Sequence, residues 1–176
     1  FLLLLLALLF NRSIFKWLDS YFYRRLDVEQ YNLNNPYTNG HFRPINKELH
    51  CVEAEITGEI PVDLEGEYLR NGPNQRFKST GRMHMFDGEG MIHQVQLKDG
   101  KAYYSNTYVR TPRFLTNEQR GMDCYTHVGD LAGGGMIGLA KMVCEQLKKK
   151  LGVLPKRSRL ESGSNSTALL FHNQKL

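Results

Sequence analysis

Four side chains that could bind a metal or transfer a proton lie within the ten residues HMFDGEGMIH: His84, Asp87, Glu89 and His93. Imidazoles and carboxylates are common ligands of zinc and iron, and they also act as general acids and bases. The same stretch is typical of a tight turn, because FDGEG offers glycines that accept positive φ and an aspartate that binds its own loop. The EF-hand pattern of calcium ligands is absent.

The neighbouring elements favour the turn. The segment MIHQVQL alternates apolar and polar residues and predicts a strand with His93 on its apolar face. Asp99 and Gly100 then form a strong hairpin signal, and KAYYSNTYV predicts the return strand. A single histidine on such a face is more often packed and hydrogen-bonded than a ligand, since a metal needs several converging donors. The residue pattern therefore favours a turn and a hairpin over a metal site.

Composition limits the classes of protein that remain. The 176 residues suffice for one domain, and nine Phe and nine Tyr can form a core. A net charge of +5 permits a nucleic acid or an anionic membrane as partner. Cys51, Cys124 and Cys144 are odd in number and widely spaced, which favours reduced thiols over a disulfide framework or a zinc site.

Residues 1–31 predict an apolar leader followed by an amphipathic helix. The opening FLLLLLALLF is too short to cross a bilayer, which needs about 20 apolar residues. It starts without Met, so we expect a truncated membrane or targeting segment. Helical spacing then places five apolar side chains on one face, which fits either a membrane-surface helix or a helix docked on a core. These side chains are Ile14, Phe15, Leu18, Phe22 and Leu26.

A boundary follows at residues 32–44, which are rich in Asn, Gly and Pro and predict a loop. After it, CVEAEITGEI alternates like a half-buried strand, with Val52, Ala54 and Ile56 on one face. At the other end of the chain, PKRSRLESGSNS predicts a linker and TALLFHNQKL predicts a strand that enters a turn. Short strands therefore dominate residues 32–176.

A basic amphipathic helix is predicted after the glycine-rich LAGGGMIG, with an apolar side and a lysine-rich side. The glycine run lacks the GK[ST] ending of a phosphate-binding loop. Either a membrane surface or the β body could receive this helix. Its apolar side comprises Leu139, Ala140, Val143, Cys144, Leu147 and Leu151, and its polar side comprises Lys141, Glu145, Lys148 and Lys149.

Several ordered blocks resemble the amino-terminal third of the carotenoid cleavage oxygenases, and most closely the plant-type cleavage dioxygenases. The resemblance runs from about Asn35 to Leu176 and does not cover the leader. Small departures are Gln75 in place of Pro, Met85 in place of Trp and Glu89 in place of Asp. The blocks are LRNGPNQRF, HMFDGEGMIH, KDGKAYYSNTYVRT, THVGDLAGGGMIGL and SNSTALLFHNQKL.

The resemblance implies a mainly β fold with helical insertions: the first blades of a seven-bladed β-propeller, preceded here by the amino-terminal amphipathic helix. Residues 32–176 would be the incomplete propeller part, with a membrane-facing helical insertion at about 131–151. Family members hold Fe(II) with four histidines from separate blades, steadied by outer glutamates. All of these are expected beyond Leu176. No catalytic, cofactor-binding or metal residue is therefore expected in this chain, and His84, His93 and His172 match scaffold positions.

The resemblance further implies that the full-length protein is an enzyme that uses O2 to split a conjugated double bond of a carotenoid or apocarotenoid. The piece itself, which binds no Fe(II) of its own, is predicted inactive. The alternatives are a non-catalytic module that binds a membrane or a protein partner, and a piece of a retinoid-isomerase branch member. We expect peripheral membrane association and no nucleic-acid partner. The compartment stays open between plastid and cytoplasm.

Overall fold

A computed structural model describes residues 2–155 and 167–172. A four-stranded antiparallel sheet stands beside a set of helices, as expected for part of a mainly β fold. All three cysteines are free. The helices are α1 (Leu2–Arg25), α2 (Val28–Leu33), α3 (Pro112–Arg120) and α4 (Val128–Lys150), and the strands are β1 (Leu49–Glu53), β2 (Gly66–Asn74), β3 (Glu89–Lys98) and β4 (Lys101–Tyr108).

The sheet has the strand order β1-β4-β3-β2, and all of its neighbours are antiparallel. Strands β3 and β4 form the hairpin that the sequence predicts, with Lys98 opposite Lys101. Between them, Asp99 and Gly100 have φ values of 52° and 71°. Two successive positive φ values are typical of the type I′ turn, whose twist matches that of the flanking strands. The hairpin prediction is confirmed.

Strand β1 is shorter than the alternation predicts. It ends at Glu53, and Val52 and Ile56 are 45% and 37% exposed, so the prediction of a long half-buried strand is wrong. The register against β4 shifts between Leu49 and Val52, and Cys51 has a φ of 49°. An irregularity of this kind on an edge strand interrupts the alternation of faces and ends the regular pairing.

Helix α1 includes both the leucine run and the segment predicted to be amphipathic. In its second half Phe15 and Phe22 are buried, and they pack with Leu26 and Val28 against Cys144 of α4. This packing corresponds to the docked alternative for those side chains. On the other side of the same helix Trp17 is 61% exposed.

A second, smaller core joins the sheet to α3. Met91, Tyr108 and Phe114 are buried together, and the rings of Tyr108 and Phe114 stack 5.0 Å apart. The Thr111 hydroxyl caps α3 by accepting a hydrogen bond from the backbone N–H of Phe114 at 3.0 Å. Helix α3 is thereby fixed at the end of β4, where its polar side meets the start of β3.

Helix α4 begins at Val128, well before the predicted start at Leu139. The glycine run therefore lies inside the helix and not before it. Gly135, with φ 52° and ψ −138°, makes a kink that only glycine tolerates easily. Of TALLFHNQKL, residues 167–172 form no regular strand, and residues 173–176 lie outside the described part of the chain, as does most of the predicted linker.

Candidate functional site

The four residues of the HMFDGEGMIH stretch point to different partners. Asp87 accepts hydrogen bonds from the backbone N–H of His84 at 2.8 Å and from that of Val128 at 3.0 Å. The first of these bonds confirms the turn interpretation. The second was not foreseen, and it makes Asp87 a cap for the amino terminus of α4.

Glu89 faces α3. Its Oε1 accepts hydrogen bonds from Arg113 Nε at 3.2 Å and from Asn117 Nδ2 at 2.8 Å. Burial raises the pKa of Glu89, and the charge of Arg113 offsets this only in part. Near it, Gln75 is buried and donates to the carbonyls of Tyr37 and Phe42, so this departure from the family pattern is accommodated by hydrogen bonds.

His93 is engaged through both ring nitrogens. Nδ1 lies 2.6 Å from Tyr104 Oη and Nε2 lies 3.0 Å from Asn74 Oδ1. Burial, with a smaller effect of Arg70, lowers the pKa of His93. His172 is exposed. Within residues 2–155 and 167–172, no group of three His, Cys, Asp or Glu side chains is placed to hold a metal ion.

The structure instead assembles a buried charge cluster between the sheet, α3 and α4. Its centre is His127, whose Nε2 lies 2.5 Å from Asp123 Oδ2 and whose Nδ1 lies 3.5 Å from Asp87 Oδ1. The second distance is at the outer limit of a hydrogen bond. The cluster comprises Asp87, Glu89, Arg113, Asp123, His127, Asp130 and Lys141.

The charges in this cluster set one another's protonation. Burial alone lowers the pKa of His127, but the charge of Asp123, the hydrogen bond to Asp123 and the nearby carboxylate of Asp87 outweigh it and raise the pKa to about 9. Burial raises the pKa of Asp123, yet His127 and Arg113 hold it well below its usual range. The raised pKa favours the imidazolium form of His127 at neutral pH, and an imidazolium has no lone pair for a metal.

Asp130 and Lys141 form the second part of the cluster. Asp130 is fully buried, and its Oδ2 lies 2.6 Å from Lys141 Nζ. Its oxygens also accept hydrogen bonds from the backbone N–H groups of Arg82 and His127, at 2.9 and 3.0 Å. A Cβ at Gly81 would lie 2.3 Å from Asp130 Oδ2, so only glycine lets the chain pass there. Both residues of the pair lie in α4, and the bond from the Arg82 N–H to Asp130 fixes the helix to the loop before β3.

Sequence reasoning missed this cluster, although one signal was present. In THVGD, an acid follows His127 by three residues at a helix start, which is the spacing of a capping box. No comparable signal links Lys141 to Asp130, because their approach depends on the kink at Gly135.

Helix α4 is oriented opposite to what its composition suggests. Leu139, Val143 and Leu147 are 44%, 50% and 47% exposed, and together with Met136 and Leu151 they form the apolar outer face. The lysine-rich side of the predicted helix faces inward, so it does not form a basic surface. Lys141 is buried on Asp130, Lys148 pairs with Asp19 at 2.5 Å, and Lys149 pairs with Glu145 at 2.6 Å.

The apolar outer face therefore does not pack on the sheet. Exposed apolar patches of this kind are typical of sites that bind a partner or a membrane. Among the described residues, no helix has the length and apolar character needed to span a bilayer.

Residues 42–176 match the family model described as RPE65, retinal pigment epithelial membrane protein. The carotenoid 9,10(9',10')-cleavage dioxygenase 1 of Arabidopsis thaliana is 40% identical over 141 residues. The chain belongs to the carotenoid cleavage oxygenase family. This confirms the resemblance noted from the sequence blocks, including the likeness to plant members.

The match covers 80% of this chain but 26% of the Arabidopsis relative, so the chain spans about a quarter of that protein's length. A carotenoid cleavage oxygenase of Mycobacterium tuberculosis is 45% identical over 80 residues, which are 44% of this chain and 16% of the relative. Among solved structures, the lignostilbene dioxygenase of Pseudomonas brassicacearum is 25% identical, with a TM-score of 0.46 over 51% of this chain and 19% of that one.

Proposed function

We propose that this carotenoid cleavage oxygenase sequence is part of an iron(II)-dependent dioxygenase that cleaves a conjugated double bond of a carotenoid or apocarotenoid with O2. The observation that carries the proposal is the family match over residues 42–176. The name of the Arabidopsis relative, a carotenoid 9,10(9',10')-cleavage dioxygenase, supports the substrate class. In this proposal the four-stranded sheet is one blade of a propeller, since propeller blades are four-stranded antiparallel sheets.

The described residues do not fit an iron site of their own. His93 is occupied on both ring nitrogens, and His127 Nε2 is held by the carboxylate of Asp123. We therefore assign the iron to other parts of the full-length protein. The described residues support the fold, and they also present a surface toward the source of the substrate.

That surface is the apolar outer face of α4, which we propose rests on a membrane. Carotenoids dissolve in lipid, so an enzyme that acts on them gains from touching the bilayer that contains them. Leucine, valine and methionine side chains exposed along a helix can enter the boundary between headgroups and acyl chains. The inward ion pairs of Lys148 and Lys149 leave the outer face free of these charges.

The test uses the full-length protein that contains these residues, produced in bacteria that accumulate carotenoids. We expect loss of the carotenoid, two carbonyl products detected by chromatography, and iron in the purified protein. An iron-loaded protein that leaves every offered carotenoid and apocarotenoid intact would contradict the proposed reaction.

A pair of variants tests the membrane surface. Leu139→Glu with Leu147→Glu places two charges on the apolar outer face, and we expect reduced flotation with vesicles and slower cleavage of carotenoid held in vesicles. Cleavage of an apocarotenoid dispersed in detergent should be unchanged. The control, Gln30→Glu with Gln119→Glu, adds the same charge at exposed polar positions and should leave both reactions unchanged. Equal effects of the two pairs would rule out the outer face as the membrane surface.

A further inference from the structure

A groove of about 1120 Å³ lies between α1, the inner side of α4 and the loop that joins α3 to α4. It is somewhat larger than typical small-molecule sites, which occupy roughly 300–1000 Å³. Part of its wall is aromatic and aliphatic, and that part suits a hydrocarbon chain. The wall residues with this character are Phe15, Trp17, Tyr23, Tyr125, Val153 and Leu154.

The acidic residues of the groove are already paired. Asp19 binds Lys148, Glu145 binds Lys149, and Asp123 belongs to the buried charge cluster. Each of these carboxylates therefore already has a cationic partner.

Three cations of the groove, by contrast, lack an acidic partner. Lys16, Arg24 and Arg120 line the groove and are exposed, and none forms an ion pair with any residue of the described part of the chain. The guanidinium groups are nonetheless held in place, because Arg24 Nε donates to the carbonyl of Ser20 at 3.3 Å and Arg120 donates to that of Val153. Each arginine keeps further N–H donors for another acceptor.

We propose that this groove binds one anionic phospholipid, with its phosphate attracted to the unpaired cations that line the groove and an acyl chain along the apolar part of the wall. Arginine and lysine are the usual partners of phosphate oxygens, and the excess positive charge of the groove favours an anionic occupant over a neutral one. The apolar wall distinguishes a lipid from free phosphate, which would leave that surface uncovered.

This inference rests on the membrane association proposed above and adds a lipid preference to it. The two surfaces lie on different sides of α4, since Lys141, Glu145 and Lys148 line the groove and Leu139 and Leu147 belong to the apolar outer face. The outer face would supply contact with any bilayer, whereas the groove would select anionic lipids from it. The two roles can therefore be lost separately.

Trp17 makes the groove directly observable, because it is the chain's only tryptophan and it lines the groove. The 176-residue chain is titrated with dioctanoyl phosphatidate below its micellar concentration while tryptophan emission is recorded. We expect a saturable blue shift, with binding at least about tenfold tighter than for dioctanoyl phosphatidylcholine. Added salt should weaken the phosphatidate response.

The variant Lys16→Gln, Arg24→Gln, Arg120→Gln should lose this preference. The control Arg43→Gln, Lys47→Gln, Lys98→Gln removes the same charge at exposed positions outside the groove and should keep it. Equal affinity for the two lipids, equal loss in both variants, or the same shift with inorganic phosphate would overturn the inference. If the groove variant does not fold, a salt-independent response of the unsubstituted chain overturns it as well.

Vesicle flotation separates this inference from the proposed function. Binding to neutral and anionic vesicles alike, with no phosphatidate preference in the titration, would remove the groove inference and leave the outer face as the membrane surface. A phosphatidate preference without any vesicle binding would support the groove and contradict the membrane association.

Discussion

The β3–β4 hairpin and helix α4 follow opposite rules of placement. In the hairpin, a local turn signal at Asp99 and Gly100 decides the geometry, and the strands pair as the alternation predicts. In α4, Lys141 is buried while Leu139 and Leu147 are exposed. The composition of a helix predicts which side chains share a face, but the partners available in the rest of the fold decide which face turns inward.

The partner that decides for α4 is Asp130. A buried ion pair costs desolvation, and it is tolerated only when the remaining oxygens and protons are satisfied. Asp130 meets this condition through Lys141 and two backbone N–H groups, and Lys141 also donates to the carbonyl of Thr80 at 3.2 Å. The inward charge of α4 is therefore a satisfied network, in contrast to the locally determined hairpin.

Removal of Asp130 should have the largest effect. Asp130→Ala leaves Lys141 buried without its carboxylate, and we expect a loss of about 3–5 kcal/mol in the free energy of unfolding, measured with urea. Adding Lys141→Met should recover part of that loss, because the uncompensated charge is then gone.

The matched comparison is an exposed ion pair beside the hairpin. Lys101 and Glu53 are 52% and 57% exposed, and Lys101 Nζ lies 3.1 Å from Glu53 Oε1. Lys101→Ala should cost far less than Asp130→Ala, because solvent screens an exposed pair. Similar losses for the two variants would remove the distinction drawn here between α4 and the hairpin.

A smaller change in the free energy of unfolding is expected from adding one methyl group to α4 or to strand β2. The kink at Gly135 folds α4 so that a Cβ at Gly138 would lie 2.0 Å from the carbonyl oxygen of Asp130. Gly138→Ala should therefore cost about 1–3 kcal/mol through overpacking. At Gly72 in β2 nothing lies within 4 Å of an added Cβ, so Gly72→Ala should stay within about 0.5 kcal/mol. Thermal or urea unfolding of both variants checks this, and a tolerated Gly138→Ala would show that the kink can relax.

Stability should also depend on pH, and the two histidines should respond with opposite sign. The pKa of His127 is raised from 6.5 to about 9, so its contribution to stability is complete below pH 6.5 and is lost as the pH rises toward 9. The loss should not exceed about 1.4 kcal/mol per pH unit. The pKa of His93 is lowered in the folded chain. Its contribution to stability is therefore lost in acid, as the pH falls below the pKa that His93 has in the unfolded chain.

Urea unfolding at a series of pH values measures both contributions. His127→Gln should flatten the decline of stability in alkali, and His93→Gln should flatten part of the decline in acid. An unchanged alkaline slope in His127→Gln would mean that His127 is neutral in the folded chain.

The parts of the fold that sequence patterns predicted were those set by near neighbours. The hairpin depends on two turn residues, and the Asp87 turn depends on its own loop. The helix near residues 139–151 followed from its spacing. Strand β1 failed because an irregular register at an edge is invisible in alternation alone.

The buried charge cluster could not be predicted in the same way. His127 and Asp123 lie four residues apart, but Arg113 and Glu89 come from other elements, and Lys141 reaches Asp130 only because Gly135 bends the helix. Charged residues in a sequence are normally assigned to the surface, and no sequence pattern marked Arg113, Asp123 or Asp130 as buried. The family blocks marked the region as important without indicating which side of α4 faces inward.

The bonds from Asp87 to the start of α4 have a mechanical meaning. The carboxylate stands two residues before β3, and it holds the backbone N–H groups of His84 and Val128 together. The first turn of α4 cannot rotate about its axis without breaking these bonds. Asp87 thus fixes the angle between the plane of the sheet and the surface on which the helix lies.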